Sequence, residues 1–433
     1  MLNNLIVFTA LASVLLAGFS GQMQNLTTAA ISSARGAVDL AIGLVGLMAF
    51  FLGLMRVAED AGLLRHLAAV VGPIMRRIFP EVPEDSPAMS AMILNISSNM
   101  LGLGNAATPF GIKAMEELDK LNKSPGIATN SMVLFLAINT SALAVLPLGV
   151  VALRTSVGSE NAMGILLPTW FASGCATIVA VASAFLLSRL AFYRSTNPPT
   201  ITPDIPPDQD QTNYLLDNTP EALTPKPIRR TCSLFFWLTL FLALGLFLWN
   251  NRQLSPIALL SAVASDWMLP VLIAALMLYG WVRGIRVYDS LVDGAKQGFE
   301  VAIRIIPYLV AILVVVGMFR ASGGIDLFTS LLSPLTSLIG MPPETLPMAL
   351  LRPLTGSGAF GVMTEALTVH GADSTIGYMV STFQGSTETT FYTLAVYYGS
   401  IGIRETRHTV PACLLADTAG ILGAVFIVNL FFG

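Results

Sequence analysis

Two stretches of the chain place glycines and polar residues where a membrane helix needs apolar ones, and they recur 250 positions apart. Asn105-Ala106-Ala107-Thr108-Pro109-Phe110-Gly111 is answered by Thr355-Gly356-Ser357-Gly358-Ala359-Phe360-Gly361. The same offset sets Ser131 against Ser381, Thr140 against Thr390, Gly149 against Gly399 and Arg154 against Arg404, without a gap. Interrupted backbone survives at bilayer depth only where protein buries it or it lines a wet cavity. Paired interruptions in two halves of a chain point to a transporter's binding site. The pattern therefore calls for two related halves whose broken segments share an interior.

The bilayer itself is inferred from composition. Of 433 residues 54% are hydrophobic and 11% charged, with mean hydropathy +0.71, whereas soluble domains carry about 25% charge. The apolar runs reach helix length, unlike the ten-residue alternation of an outer-membrane barrel. A net charge of −3, with basic residues mostly in loops, argues against nucleic acid as a partner. Cys175, Cys232 and Cys413 lack metal or disulfide spacing, and His66, His370 and His408 are scattered. Solvated or interfacial positions are expected for these histidines, and no metal or cofactor is implied. Residues 2–20 lack the basic start and cleavage site of a signal peptide and read as a retained helix.

Runs long enough to cross are 2–20, 36–55, 126–153, 163–188, 231–249, 256–282, 299–319, 379–400 and 410–432. Segments 86–112 and 345–365 are too interrupted and read as re-entrant or broken helices. Residues 193–230, rich in Pro and Asp, form a solvated linker between the halves. Residues 62–78 form an amphipathic interfacial helix. Basic residues set the orientation. Arg56, Arg65, Arg76, Arg77, Lys113, Lys120 and Lys123 crowd the first interrupted segment, but the matching flanks of the second half hold only Arg320. Opposite orientations of the halves resolve this. They place 17 of the 23 Lys and Arg on the inner side, leaving Arg35, Arg154, Arg252 and Arg320 outside and Arg304 and Arg352 within membrane segments. The N-terminus and linker are then cytoplasmic and Gly433 lies outside.

Four motifs hold the candidate substrate-binding residues. Asn95, Ser98 and Asn99 run into Asn105 and Thr108. Asn139, Thr140 and Ser141 interrupt an apolar span. Arg352, Thr355 and Ser357 form the third, and Gln384, Ser386, Thr387, Glu388, Thr389 and Thr390 the fourth. An unsatisfied polar group in lipid costs several kcal/mol, so these side chains face a cavity, one another or freed carbonyls. Packing alone explains Ser97, Ser98, Ser141 and Ser357 equally well. Asn139, Thr389 and Thr390 weigh more, because they fall at matched positions. Arg352 and Glu388 stand apart, since an ionisable group at depth costs about 3 kcal/mol. They are expected to approach each other, either as a static pair or as a coupling carboxylate and its counter-charge. Asp417, Glu300 and Arg304 are further candidates, the last two as a local i,i+4 pair. Nothing resembles a nucleophile with its base, so no enzyme is expected.

Longer motifs carry a resemblance. MRVAEDAGLL, FPEVPEDSPAM, NMLGLGNAATPFGIKAMEEL and FLAINTSAL, within residues 1–192, resemble the spore maturation protein A family. VYDSLVDGAKQGFEVAIRIIPYLVAILV, GMFRASGGID, LLRPLTGSGAFGVM and QGSTETTFYTLAVYYGSIGIR, from about 256 to the end of a second repeat unit 231–433 that opens with an extra helix at 231–249, resemble the spore maturation protein B family. Both belong to the nucleoside recognition, or Gate, domain family, whose likeness to nucleoside and ferrous iron transporters implies an inner-membrane, transporter-like fold with a central polar site. In spore formers the two are separate chains, and their fusion here suggests one shared site.

The expectation is an all-α polytopic membrane protein with two inverted-topology repeats and re-entrant or broken helices. It would sit in the bacterial cytoplasmic membrane and move a small polar or anionic metabolite, nucleoside-like or carboxylate. A non-transporting scaffold of spore or envelope maturation and a divalent cation permease are the alternatives. The partners are a small-molecule or ion substrate and the lipid bilayer, and a homo-oligomer stays open.

Overall fold

The computed structural model describes residues 2–102, 104–142, 144–194, 227–253, 259, 262–263 and 266–433. Among them the chain is helical, with one isolated bridge pair, Ile127 and Glu405. Helix α1 is Leu2–Ser20. Seven helices make the first half: α2 Met23–Asp60, α3 Leu63–Ile78, α4 Pro87–Met100, α5 Gly104–Lys120, α6 Asn130–Thr140, α7 Leu148–Ser156 and α8 Leu166–Ser188. Two helices, α9 Pro227–Asn250 and α10 Met268–Arg283, intervene. Seven more follow in the same order: α11 Val287–Ala321, α12 Gly324–Ser337, α13 Leu346–Leu351, α14 Gly356–His370, α15 Thr375–Ser386, α16 Thr390–Ile401 and α17 Thr409–Phe432. Each helix from α2 to α8 thus has its counterpart nine places on.

Local chemistry marks the boundaries. Ser86, Thr129, Thr355 and Ser374 each cap a helix by accepting from the backbone N–H three residues on. Gly102, at φ +73°, lets the chain turn sharply out of α4, a conformation that costs other residues dearly. Helices α2, α8 with its leading turn, α9 and α17 are long and apolar enough to cross a bilayer, and the bent pair α11–α12 makes a fifth. The apolar face of α9 has no buried residue, which suits contact with lipid.

The counterparts run antiparallel where they touch. Gly53 of α2 lies against Leu291 of α11, Ala49 against Gly298, and Ser33 against Gly317. Likewise Ser183 of α8 bonds the carbonyl of Ala412 on α17, while Ala172 lies near Gly423. Small residues let these backbones approach closely, the usual mode of helix association in lipid. A Cβ on Gly298 would sit 2.5 Å from the Ala49 Cα and the Met48 carbonyl. Gly298→Ala is therefore expected to cost about 1–3 kcal/mol, read as a lower unfolding midpoint in detergent.

The contacts sort into two ends. At one, Arg283 bonds His66 (2.6 Å), Arg56 lies beside Gly294, and Arg407 bonds Asn130 and the Ala128 and Tyr193 carbonyls. At the other, Arg320 pairs with Glu365 (2.5 Å) and Arg154 with Asp373 (2.8 Å). The first end gathers residues expected inside, and the second those expected outside.

Several expectations need correction. The spans 126–153 and 379–400 are each two helices, broken at 141–147 and at 387–389. Residues 227–230 belong to α9 and 193–194 to a helical turn, so the linker narrows to 195–226, which lies outside the described residues. The 250-residue register holds for Gly111 and Gly361 but fails beyond them. The caps Thr129 and Ser374 are 245 apart, so Asn139 and Thr140 are not the counterparts of Thr389 and Thr390. His408 is fully buried at the start of α17, not solvated, and Arg154 is fully buried too.

Candidate functional site

The interrupted segments bring most of the candidate residues into two polar groups. The first lies where α4, α5 and α6 meet α16. Asn95 is fully buried and its Nδ2 donates to the Ala107 carbonyl (2.8 Å) and to the Tyr397 hydroxyl (3.1 Å). Asn99 Nδ2 donates to Asn139 Oδ1 (2.9 Å), and the Tyr397 hydroxyl reaches the same oxygen at 3.5 Å. Asn139 returns its own amide to the Phe135 carbonyl. Gly111 makes room for this arrangement, since a Cβ there would lie 2.2 Å from the Tyr397 ring. Ser97 and Ser98 are fully buried, and their hydroxyls have no partner among the described residues. Thr108 is half-buried on α5, and Asn105 lies on the same helix with its side chain outside the described residues.

The second group surrounds the α15–α16 break. Arg352, 2% exposed, reaches from the end of α13 into it. Its guanidinium donates to Thr389 Oγ1 (3.1 Å), to the Gln384 carbonyl (3.2 Å) and to the Thr387 carbonyl. Those two carbonyls belong to the C-terminal turn of α15 and the break, where helical acceptors go unpaired and attract a cation. Glu388 Oε2 lies 3.5 Å away, on a side chain that is 57% exposed. This pair is long and half in the open, whereas the backbone contacts of Arg352 are close and buried. Thr355 caps α14, and Gly356 beside it is close enough that a Cβ would meet Thr389 Oγ1 at 3.0 Å. Ser357 is half-buried on the next residue. Thr387 Oγ1 donates to the Phe383 carbonyl, and Thr390 Oγ1 to Asp417 Oδ2 at 2.7 Å.

The two breaks touch. Glu388 N–H donates to the Thr140 carbonyl at 2.8 Å, across the boundary between the halves. Thr140 and Ser141 otherwise turn their hydroxyls onto their own helix, with Ser141 also bonding Thr177 (2.9 Å). Several buried polar atoms near the contact have no partner among the described residues: Asn95 Oδ1, Arg352 Nε, Gln384 Oε1, Ser386 Oγ and Asp417 Oδ1. That matters because buried polar groups are nearly always paired, and exceptions mark water, ions or function. Among the described residues no cluster of three His, Cys, Asp or Glu is placed to hold a metal. A cavity of about 440 Å³ lies apart from the breaks, between α2, α11 and α14 beside the Arg320–Glu365 pair.

Sequence reasoning missed Tyr397 as the link between the halves, since a tyrosine in an aromatic run carries no signal. It also missed the reach of Arg154, which donates to the Ala372 carbonyl (2.7 Å) and Ser381 (3.2 Å) and stacks on Tyr378. Arg154 and Arg407 thus clamp the chain just before α15 and α6, each from the opposite half. Arg304 carries a side chain outside the described residues, so its pairing with Glu300 is not assigned.

Two antiparallel sets of seven helices, each with a broken helix meeting its counterpart, define a multi-pass α-helical membrane protein built from inverted repeats. The chain belongs to the nucleoside recognition (Gate) family, whose model matches residues 41–156 and 302–404, from α2 to α7 and again from α11 to just past α16. It is 45% identical over 166 residues to spore maturation protein B of Bacillus subtilis (strain 168), covering 93% of that protein and 38% of this chain. It is 37% identical over 194 residues to spore maturation protein A of the same organism, covering 97% of that protein and 45% of this chain. Among solved structures, the Alcanivorax borkumensis YdaH transporter aligns over 99% of the chain and 97% of its own, with TM-score 0.38 and 14% identity.

Proposed function

We propose that the protein is a secondary transporter of the bacterial cytoplasmic membrane, moving a small polar or anionic metabolite through the junction of its two breaks. The observation that carries this reading is Arg352. Its guanidinium is buried among carbonyls, yet its one anionic partner among the described residues, Glu388, is held loosely and half exposed. A substrate carboxylate or other anion replaces Glu388 on the guanidinium, and the unpartnered oxygens of Asn95, Gln384 and Ser386 take its hydroxyl or amide groups. The clamps of Arg154 and Arg407, at opposite ends, hold the two sides of the path. In this reading residues 1–192 correspond to spore maturation protein A and 231–433 to spore maturation protein B, with the linker and N-terminus cytoplasmic. Both lengths then form one site in one chain.

A static scaffold predicts closed segments with every polar group bonded to protein, and the unpartnered atoms around the breaks count against it. A thermal-shift screen of nucleosides, carboxylates and amino acids, followed by uptake of each hit into proteoliposomes, tests the proposal. A ligand that binds only the folded form raises its stability by about 2.7 kcal/mol at a hundred times Kd. A stabilising metabolite that Glu388→Gln binds differently and that wild-type vesicles accumulate is the expected result. A folded protein that none of the panel stabilises and that takes none up would favour the scaffold.

A further inference from the structure

We infer that Asp417 binds the proton that admits an anion to Arg352. The inference rests on the transport reading above and names its coupling ion. Asp417 is the one carboxylate in α17, a helix long and apolar enough to cross the membrane. It is 2% exposed. One carboxyl oxygen accepts from Thr390 Oγ1 at 2.7 Å, and the other has no partner among the described residues. An ionised carboxylate buried with a bare oxygen is among the costliest arrangements in a bilayer, because neither solvent nor a donor compensates the charge. A proton on Oδ1 removes that cost and leaves the Thr390 bond in place. A metal cation would need several further oxygens, and no cluster of three acidic, His or Cys residues is available among the described residues.

The place of Asp417 makes it more than a satisfied acid. Thr390 begins α16, the half-helix directly after the break that Arg352 pins from the other side through Thr389 and Thr387. Gly420, one turn along α17, lets the break pack flush, for a Cβ there would meet Thr387 Cγ2 at 2.7 Å. Arg352 and Glu388 are both close enough to act electrostatically on Asp417. Among the described residues Cys413, one turn back on its own helix, also acts on it, while Cys175 of α8 lies beside Gly423, Tyr398 of α16 beside Thr409 and His408 at the helix start, each farther along α17. None of these brings a second positive charge to the carboxylate. With Asp417 neutral, Arg352 retains an unopposed positive charge for Glu388 or for a substrate anion. With Asp417 ionised, a second negative charge stands by the same guanidinium and repels an incoming anion. Proton and anion therefore bind together, and the proton gradient drives accumulation.

The test has two arms on purified full-length protein. Infrared difference spectra report the carbonyl stretch of a protonated carboxylic acid directly, with no substrate present. The band is expected in wild type and in Glu388→Gln and absent from Asp417→Asn, which keeps the shape and the Thr390 contact. Its absence from wild type, or its persistence in Asp417→Asn, overturns the proton site. In the second arm succinate serves as the anionic probe. Its apparent affinity, read by thermal shift, is expected to fall up to tenfold per pH unit in wild type above the titration point, and to stay flat in Asp417→Asn. Asp417→Asn vesicles are expected to exchange succinate but not to concentrate it on an imposed pH gradient. Equal pH dependence in both proteins, or gradient-driven accumulation by Asp417→Asn, overturns the coupling. A wild type that shows the band but neither binds nor moves any anion refutes the transport reading while the proton site stands.

Discussion

Replacing Arg352 by Gln is expected to lower the unfolding free energy by about 3 kcal/mol and to abolish transport, because one side chain holds both the break and the anion. The guanidinium supplies donors to Thr389, Gln384 and Thr387 from a position that is 2% exposed. Removing it strands buried acceptors, each costing about 1–3 kcal/mol when left unpaired. Glu388 contributes little to this loss, since its side chain is 57% exposed and exposed pairs are worth about 0–1 kcal/mol. Glu388→Gln should therefore keep the wild-type melting temperature. The contrast separates fold from function: Arg352→Gln loses both, whereas Glu388→Gln loses only its normal response to substrate. Arg352→Lys keeps the charge but has no planar fork to reach two carbonyls and a hydroxyl at once. It should fall between wild type and Arg352→Gln in stability and still fail to bind. Unfolding in detergent and uptake into vesicles measure both effects. Full uptake by Arg352→Gln would remove Arg352 from the site.

What the sequence revealed and what it hid follow from which forces each feature obeys. The class of protein is set by hydrophobic length, which residues 409–432 or 166–188 display without ambiguity. The polar motifs around Asn139, Gln384 and Glu388 stood out for the same reason, because such groups are costly in lipid unless the backbone or a partner receives them, but the helix breaks at 141–147 and 387–389 did not, since both runs are apolar enough to read as continuous spans. Alignment of the halves was another matter. A fixed offset of 250 treats connectors as rigid, yet the connector between α5 and α6 spans 121–129 while that between α14 and α15 spans 371–374. Loop length changes at little entropic cost, so the register slips there by five residues. Serine and threonine recur often enough in packed membrane helices to let the wrong register look regular. Tyr397, Arg154 and Arg407 were hidden for a different reason. Their role depends on which residues of the opposite half lie beside them, and no local pattern in one half encodes that. Arg352 and Glu388 were the exception, since two charges placed within separate membrane segments, 345–365 and 379–400, have few partners but each other.

Lys123 and Val369 are expected to react from opposite sides of the membrane, an all-or-none result that tests the inverted arrangement. Lys123 is exposed just beyond α5, and Val369 is 48% exposed at the end of its counterpart α14. In a background with Cys175, Cys232 and Cys413 changed to Ala, a membrane-impermeant maleimide should label Val369→Cys in intact cells. It should label Lys123→Cys only after permeabilisation. Two physical terms enter, and the experiment separates them. That the ends of α5 and α14 lie apart follows from the fold, because α2 packs antiparallel on α11 and α8 on α17 through glycines and small residues. Which end faces the cytoplasm follows from charge, since Arg56, Arg283, Lys123 and Arg407 gather at one end and positive loops stay inside. Labelling of both sites from one side would refute the repeat symmetry and with it the meeting of the two breaks. Labelling from opposite sides with the compartments exchanged would keep the fold and reverse only the orientation, so that substrate binding at Arg352 would have to be assayed in vesicles of the other polarity.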